Sequence, residues 1–414
     1  MDKQEDRTSS LQQLYMKGDF EGAANLFLSW KDPSATPGEA RQIAYWSLLN
    51  WAYSLYQSAQ TIGAEKWASL LTMAREKLEI ALRIKPNGYE ALNNWGNLLL
   101  EQGKRAGGEE AVQLFRESGE KYAASLAIKP DQHEALNNWG NLLLEQAKRA
   151  SGEEAERLFR ESGEKYAASL AIKPDKHEVL NNWGTLLLEQ SKRASGEEAE
   201  WLFREAGEKY AASLAIKPDK HEALNNWGNL LLEQARRASD EKAVPLFHEA
   251  GKKYAASLAI KPDKHEVLNN WGSLLLEQAK RSGGEEAERL FREAGKKFAA
   301  SLAIKPDKHQ ALNNWGNLLL ERAKRASGGN RKRLMVEAEE KLVSATKLAP
   351  GETYNLACLA TTRGNEARCR LNLEIAEKYG TLPSHQHLET DKDLDPMRDK
   401  PWFRELVRRL KGKG

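Results

Sequence analysis

Cysteine is almost missing from this 414-residue chain, which holds two, Cys358 and Cys369. Two thiols cannot staple a disulfide framework, and their scarcity fits a reducing compartment. An excess of one charge is missing too, with 63 Lys+Arg against 60 Asp+Glu. Nucleic-acid binders ordinarily carry a one-sided basic surplus, so that class is disfavoured from the outset. No stretch approaches the roughly 20 apolar residues of a membrane span, and Met1–Ser10 is charged and polar, without the apolar core of a signal peptide. A helical, cytoplasmic protein away from the membrane is the expectation. Also absent are a nucleophile elbow, a phosphate-cradling loop, a metalloprotease helix and a dinucleotide fingerprint. No catalytic residue, cofactor or metal site can be named, and an enzyme is not expected.

What the chain has is repetition. Trp95, Trp139, Trp183, Trp227, Trp271 and Trp315 follow one another at 44 residues, and Pro86, Pro130, Pro174, Pro218, Pro262, Pro306 and Pro350 keep the same step. Self-similarity at one fixed period of this size marks a solenoid or propeller, in which each unit packs on its neighbours. Trp51 belongs to a degenerate first copy, with Ala52 where later copies have Gly.

Each unit reads as two helices. Asp131 with Glu134 forms a capping-box pattern ahead of Leu136, Trp139, Gly140, Leu143 and Ala147, which share one face of a 100° wheel. Glu134, Asn137, Asn138, Asn141, Glu145 and Lys148 take the opposite face. Ser151-Gly152 turns the chain, with Ser151 the expected N-cap and Glu154 its partner. The second helix carries Ala155, Leu158, Phe159, Ser162, Tyr166 and Leu170, and stops before Pro174. Large aromatic positions belong in the core, so Trp139 and its copies are expected to be largely buried between their own unit and the next. Pro245 falls inside one second helix, which should start late or kink there.

The spacing Leu136-x2-Trp139-Gly140-x2-Leu143, then Ser162-x3-Tyr166, then Pro174, resembles the tetratricopeptide repeat. Two features depart from that pattern: Leu136 and Trp139 exchange the usual Trp and Leu, and the period is 44 rather than about 34. The resemblance implies an all-α fold, a right-handed α-solenoid of antiparallel helical hairpins. Its expected division is an N-terminal capping hairpin over 1–40, seven repeats over 41–350, and a short unit with a capping helix over 351–414. Within these limits, residues 31–38 read as a connector and Thr381–Lys400 as a polar one. The run from Asp393 to Phe403 resembles the closing segment of many bacterial members, which points to a bacterial source.

Three recurring sets could carry function. His133, His177, His221, His265 and His309 recur once per unit, but helix axes about 8–10 Å apart cannot bring them to one metal ion; they read as helix-start surface residues. His385 and His387 lack companion ligands. Lys104-Arg105, Lys148-Arg149, Lys192-Arg193, Arg236-Arg237, Lys280-Arg281 and Lys324-Arg325 mark the hairpin tips, where cations offset the negative pole of the helix they end. The cluster from Arg322 to Arg333 is the best candidate for an acidic partner.

The asparagines are the third set: Asn93, Asn94 and Asn97; Asn137, Asn138 and Asn141; Asn181 and Asn182; Asn225, Asn226 and Asn229; Asn269 and Asn270; Asn313, Asn314 and Asn317. Asparagine is a mediocre helix former, yet its carboxamide offers a donor and an acceptor that match a peptide backbone. In tetratricopeptide arrays the first helices line the concave face, so the resemblance implies an asparagine ladder gripping an extended partner segment. The alternative is that the ladder holds the helices to each other. The expected function is therefore a scaffold or adaptor for a protein or peptide partner. RNA binding and self-assembly through the end units are its rivals.

Overall fold

The computed structural model describes residues 3–30, 38–61 and 64–412, and among these there is no strand. The chain divides into two compact units, 1–186 and 187–414.

The first unit opens with a hairpin, α1 (Lys3–Met16) and α2 (Phe20–Leu28), turned by Gly18 at φ +78°. Leu11, Ala23 and Phe27 close its small core against Ala40 and Ala44. Longer hairpins follow: α3 (Gly38–Thr61) with α4 (Ala64–Ile84), α5 (Tyr89–Arg105) with α6 (Gly108–Ile128), and α7 (His133–Arg149) with α8 (Gly152–Ile172). Residues 31–37 of the expected connector lie outside the described residues. Helix α9 (His177–Ser191) carries the boundary between the units.

The second unit continues with α10 (Gly196–Ile216). It then runs through α11 (His221–Arg237) and α12 (Asp240–Ile260), α13 (His265–Arg281) and α14 (Gly284–Ile304), and α15 (His309–Arg325) and α16 (Gly328–Leu348). A shorter pair, α17 (Tyr354–Thr362) and α18 (Glu366–Lys378), precedes α19 (His385–Thr390) and α20 (Pro401–Lys411). The stretch 381–400, expected as a polar connector, is in part packed structure. Leu388, Leu394 and Met397 are buried with Cys369, Leu373, Phe403 and Leu406, because the last repeat needs a lid over its open apolar end.

Within a repeat, one contact sets how closely the two helices lie. A Cβ built on Gly140 would stand 2.6 Å from Tyr166 Cε1, nearer than two carbons can approach. Gly96 with Tyr122, Gly228 with Tyr254 and Gly272 with Phe298 repeat the arrangement. The rings are fully buried, so the glycine is where the second helix seats its largest side chain. Ser162 makes the seat polar at one point by donating its hydroxyl to the Gly140 carbonyl at 2.8 Å. The residue following the wheel's tryptophan is thus glycine because a ring occupies the place of its side chain.

Three local expectations are corrected. The tryptophans are half-buried; of the series only Trp51 is buried. Their indoles lie against the second helix of the preceding repeat, where Cβ atoms on Gly207, Gly251 and Gly295 would each be 3.9 Å from Nε1 of Trp227, Trp271 and Trp315. A lysine of their own second helix lies over the ring, as Lys165 over Trp139 at 4.1 Å and Lys297 over Trp271 at 3.4 Å to the ring centroid. A ring whose quadrupole accepts a cation need not be enclosed by hydrocarbon. Second, the caps differ. Helix α7 starts after Gln132 rather than Asp131, and neither Gln132 nor Ser151 makes a side-chain cap bond. Instead Gly152 takes φ +55° to turn the tip, a conformation glycine enters without strain. Third, α12 runs unbroken through Pro245 and starts in the same register as its sisters. Its tip turn changes instead: Asp240 stands where others have positive-φ glycine, and Ser239 takes φ −61° against −131° at Ser151.

Candidate partner-binding face

The first helices present their asparagines on one side, and the carboxamides there are joined to each other. In the first unit Asn182 Nδ2 donates to Asn137 Oδ1 at 3.1 Å and Asn137 Nδ2 to Asn138 Oδ1 at 3.3 Å. Asn138 Nδ2 continues to Asn93 Oδ1 at 3.1 Å. In the second unit Asn270 donates to Asn225 at 3.1 Å, Asn314 to Asn269 at 3.0 Å and Asn355 to Asn313 at 3.0 Å. Asn225 also donates to Asn226 at 3.3 Å. A carboxamide has two N–H donors and two acceptor sites on its oxygen, so in Asn137, Asn138 and Asn225 these bonds leave part of the capacity open. Asn93 and Asn181 are buried, each 8% exposed, while the others are partly exposed.

The third asparagine of each set has a different job. Asn97, Asn141 and Asn229 accept the phenol hydrogens of Tyr122, Tyr166 and Tyr254, each at 2.7 Å. Burial raises these phenols well above the ordinary tyrosine pKa, which keeps them protonated donors. Where the asparagine becomes Ser273, the tyrosine becomes Phe298. The pairing is not strict along the chain, since Thr185 stands at the register of Tyr210 and Asn317 at that of Leu342. Asn94 and Asn317 are partly exposed and make none of these inter-repeat bonds.

The face ends differently in each unit. In the first, Tyr53 is 57% exposed at the register of Asn97, and a small hollow lies among Tyr53, Tyr56, Asn94 and Asn97. In the second, a cleft of about 630 Å³ includes Lys280, Asn317, Lys324, Tyr354, Asn355 and Asp391 in its wall. Burial works against the charge on Lys324, but Glu321 and Asp393 beside it raise its pKa. Burial likewise opposes the Asp391 carboxylate. The hydrogen bonds from His387, Tyr354 and the Asp393 backbone N–H outweigh that and hold its pKa far below the usual range.

Cys358, Asp391 and Asp393 approach one another in this cleft, their ligand atoms all within 4.8 Å, and among the described residues no other such grouping of His, Cys, Asp and Glu occurs. Their chemistry is already engaged. Tyr354 donates to Asp391 at 2.5 Å, Lys324 pairs with Asp393, and burial pushes the Cys358 thiol well up, away from the thiolate that binds metals. The repeated histidines stand at helix starts. The first four each set their imidazole beside the glutamate that follows them, as His177 Nε2 with Glu178 at 3.0 Å, whereas His309 faces Glu352 at 3.8 Å. Histidine backbone carbonyls accept serine hydroxyls, as Ser169 to His133 at 2.8 Å.

Four hairpin-tip arginines, Arg149, Arg237, Arg281 and Arg325, bind carbonyls of the preceding repeat rather than of their own helix. Arg149 donates to Gly103 and Lys104 carbonyls at 2.7 and 2.8 Å, and Arg325 to Lys280 and Ser282 carbonyls, both at 2.8 Å. They also lie on a phenylalanine of that repeat, Arg149 over Phe115 at 4.7 Å. A planar guanidinium meets two carbonyls through its fixed fork while lying flat on a ring, a geometry that a compact ammonium lacks. Where the pair has a lysine it folds back on its own helix, as Lys148 to Glu145 at 2.7 Å. In the Arg322–Arg333 cluster, Arg322 and Lys324 are engaged by Glu288 and Glu321, whereas Arg331 and Lys332 are exposed.

Stacked helical hairpins seated on glycine under a buried ring, without strands among the described residues, decide the architecture. The fold is that of a tetratricopeptide-repeat protein. A monomeric mutant of IFIT1, solved with m7Gppp-AAAA, matches with TM-score 0.53 at 14% identity, covering 99% of this chain and 90% of that one. A tetratricopeptide repeat protein from Parabacteroides merdae matches at 14% identity and TM-score 0.47, over 80% of this chain and 98% of that one. A thermophilic TPR protein from Thermus thermophilus matches at 16% identity and TM-score 0.43, over 56% of this chain and 100% of its own. The family model for the plant-specific mitochondrial import receptor subunit TOM20 matches residues 156–267 and 242–314. No curated protein matches the chain.

Proposed function

We propose that this chain is a non-catalytic adaptor that holds a protein partner, as an extended segment, along the asparagine-bearing side of its first helices. The observation that carries this reading is the row of partly exposed carboxamides with unused donors and acceptors, recurring from helix to helix. A peptide backbone advances about 3.3 Å per residue, so rungs about 10 Å apart would meet it at about every third residue. Support also comes from the TPR fold and from the match to an import receptor family. The bonds between carboxamides give the ladder a structural share. Binding is therefore assigned to Tyr53 and Asn94 in the first unit and to Asn317 in the second, which stand outside that network.

The test is calorimetric titration of the chain with a partner purified from its own source. Replacing Tyr53, Asn94 and Asn317 together by Ala should weaken binding at least about tenfold, each contact contributing about 0.5–1.5 kcal/mol, while melting stays unchanged. Normal binding by that triple variant refutes the assignment. RNA binding is the rival reading: balanced charge, with lysines folded onto glutamates, speaks against it, and a steep fall of RNA affinity with salt would revive it.

A further inference from the structure

One register of the second helices departs from its sisters. In α8, Arg157 bridges two carboxylates of its own helix, Glu154 at 2.7 Å and Glu161 at 2.5 Å. In α14, Arg289 does the same with Glu286 and Glu293, at 2.6 and 2.7 Å. The same position in α6 holds Gln113, which still donates to Glu117 at 2.7 Å. In α10 the residue is Trp201, 48% exposed, and the two carboxylates remain as Glu198 and Glu205. Neither of them makes an ion pair among the described residues. The helix from Glu197 to Lys209 carries five carboxylates against Arg204 and Lys209. In the next repeat the register is again apolar and exposed, with Pro245 there and Val244, 61% exposed, beside it.

An indole outside the core, bracketed by two carboxylates that a guanidinium fills in the sister helices, is complementary to one kind of side chain. Arginine stacks on an aromatic face, and its fork donates to carboxylates on either side. The exposed proline holds the same register one repeat further on, with the exposed valine beside it. We propose that Trp201, with Glu198 and Glu205, is a docking point for a partner protein segment that presents an arginine beside an apolar residue. This surface lies on the second helices, goes beyond the asparagine face, and stands or falls independently of it.

The full chain, labelled with 5-fluorotryptophan, provides the test, the Trp201 resonance being the one missing from Trp201→Arg. The probe is a blocked peptide with two Leu-Arg pairs about an alanine, Ac-Leu-Arg-Ala-Leu-Arg-amide. The expected result is a saturable shift of the Trp201 resonance with this peptide. Glu198→Gln with Glu205→Gln should weaken it about fivefold, and the citrulline version of the peptide should weaken it at least as much. Trp201→Arg should leave helicity intact, since it restores the bridge seen at Arg157, and should lose the peptide. A Trp201 signal that stays still, or that moves equally with the citrulline peptide, overturns the proposal. So does a concentration-dependent mass in light scattering that Trp201→Arg abolishes, because a second copy of the chain would then be the occupant.

Discussion

Gly228 and Gly251 sit on the two helices of one repeat, yet replacing each by alanine should move stability in opposite directions. A Cβ on Gly228 would lie 2.6 Å from Cε1 and 2.8 Å from Cδ1 of Tyr254. That ring is fully buried and its hydroxyl is fixed on Asn229 at 2.7 Å, so it cannot swing aside without leaving its acceptor. Overpacking such a site costs about 1–3 kcal/mol, against about 0.8–1 kcal/mol gained from alanine's better helix propensity. With the contact this short, the upper half of the range applies, and Gly228→Ala should destabilise by about 1–2 kcal/mol. On Gly251 the new methyl would meet Leu274 Cδ2 at 3.7 Å and Trp271 Nε1 at 3.9 Å, ordinary contact distances. There only propensity acts, and Gly251→Ala should stabilise by about 0.5–1 kcal/mol. The assay is urea unfolding followed by far-ultraviolet circular dichroism, with amide exchange of α11 and α12 to localise the change. Coupling in such arrays is between neighbours, so Gly228→Ala should broaden or split the transition as well as shift it. If both variants stabilise alike, the close seating of ring on glycine is wrong for every repeat that shares it.

Named contacts elsewhere give four more expected outcomes. Arg325→Lys should lower stability by about 0.5–1.5 kcal/mol because an ammonium lacks the planar fork that meets both carbonyls while lying on Phe291; a melting curve equal to wild type would show the bridge to be idle. Asn137→Ala with Asn270→Ala breaks the ladder in both units and should lower the melting temperature, whereas the triple change at Tyr53, Asn94 and Asn317 should not; equal melting in all variants would remove the structural share assigned to the ladder. Asp391, with its folded pKa depressed, contributes stability that is complete above the unfolded value near ~3.9 and is lost as pH falls below it. Acid titration should therefore loosen α19 and the turn after it only below about pH 4, and Asp391→Asn should flatten that dependence; an unchanged profile would place the acid sensitivity elsewhere. Native mass spectrometry after dialysis should find no stoichiometric zinc, and one tightly held ion per chain would overturn the reading of Cys358, Asp391 and Asp393 as already engaged.

The repeat, the helical character of both segments and the small residues between them are legible in the sequence, because period, wheel face and proline position depend on neighbours along the chain. The paired helices follow from local pattern alone, as at Gly140 and Ser162. Tertiary structure decides the partners. In the sequence Asn141 is one more carboxamide on a polar face, and only the approach of α8 shows that Tyr166 claims it. Local pattern gives the tip arginines to the helix they end; stacking hands Arg149 to the preceding repeat, whose carbonyls no intrahelical bond could satisfy. Size and apolarity place the tryptophans in the core, but a glycine on the neighbouring helix and a lysine above the ring keep them at its edge. The reason is common to all three. Sequence determines which groups share a helix face, while a hydrogen bond or a ring contact across 25 to 45 residues depends on how closely the helices pack, and that is set by contacts such as Gly140 under Tyr166.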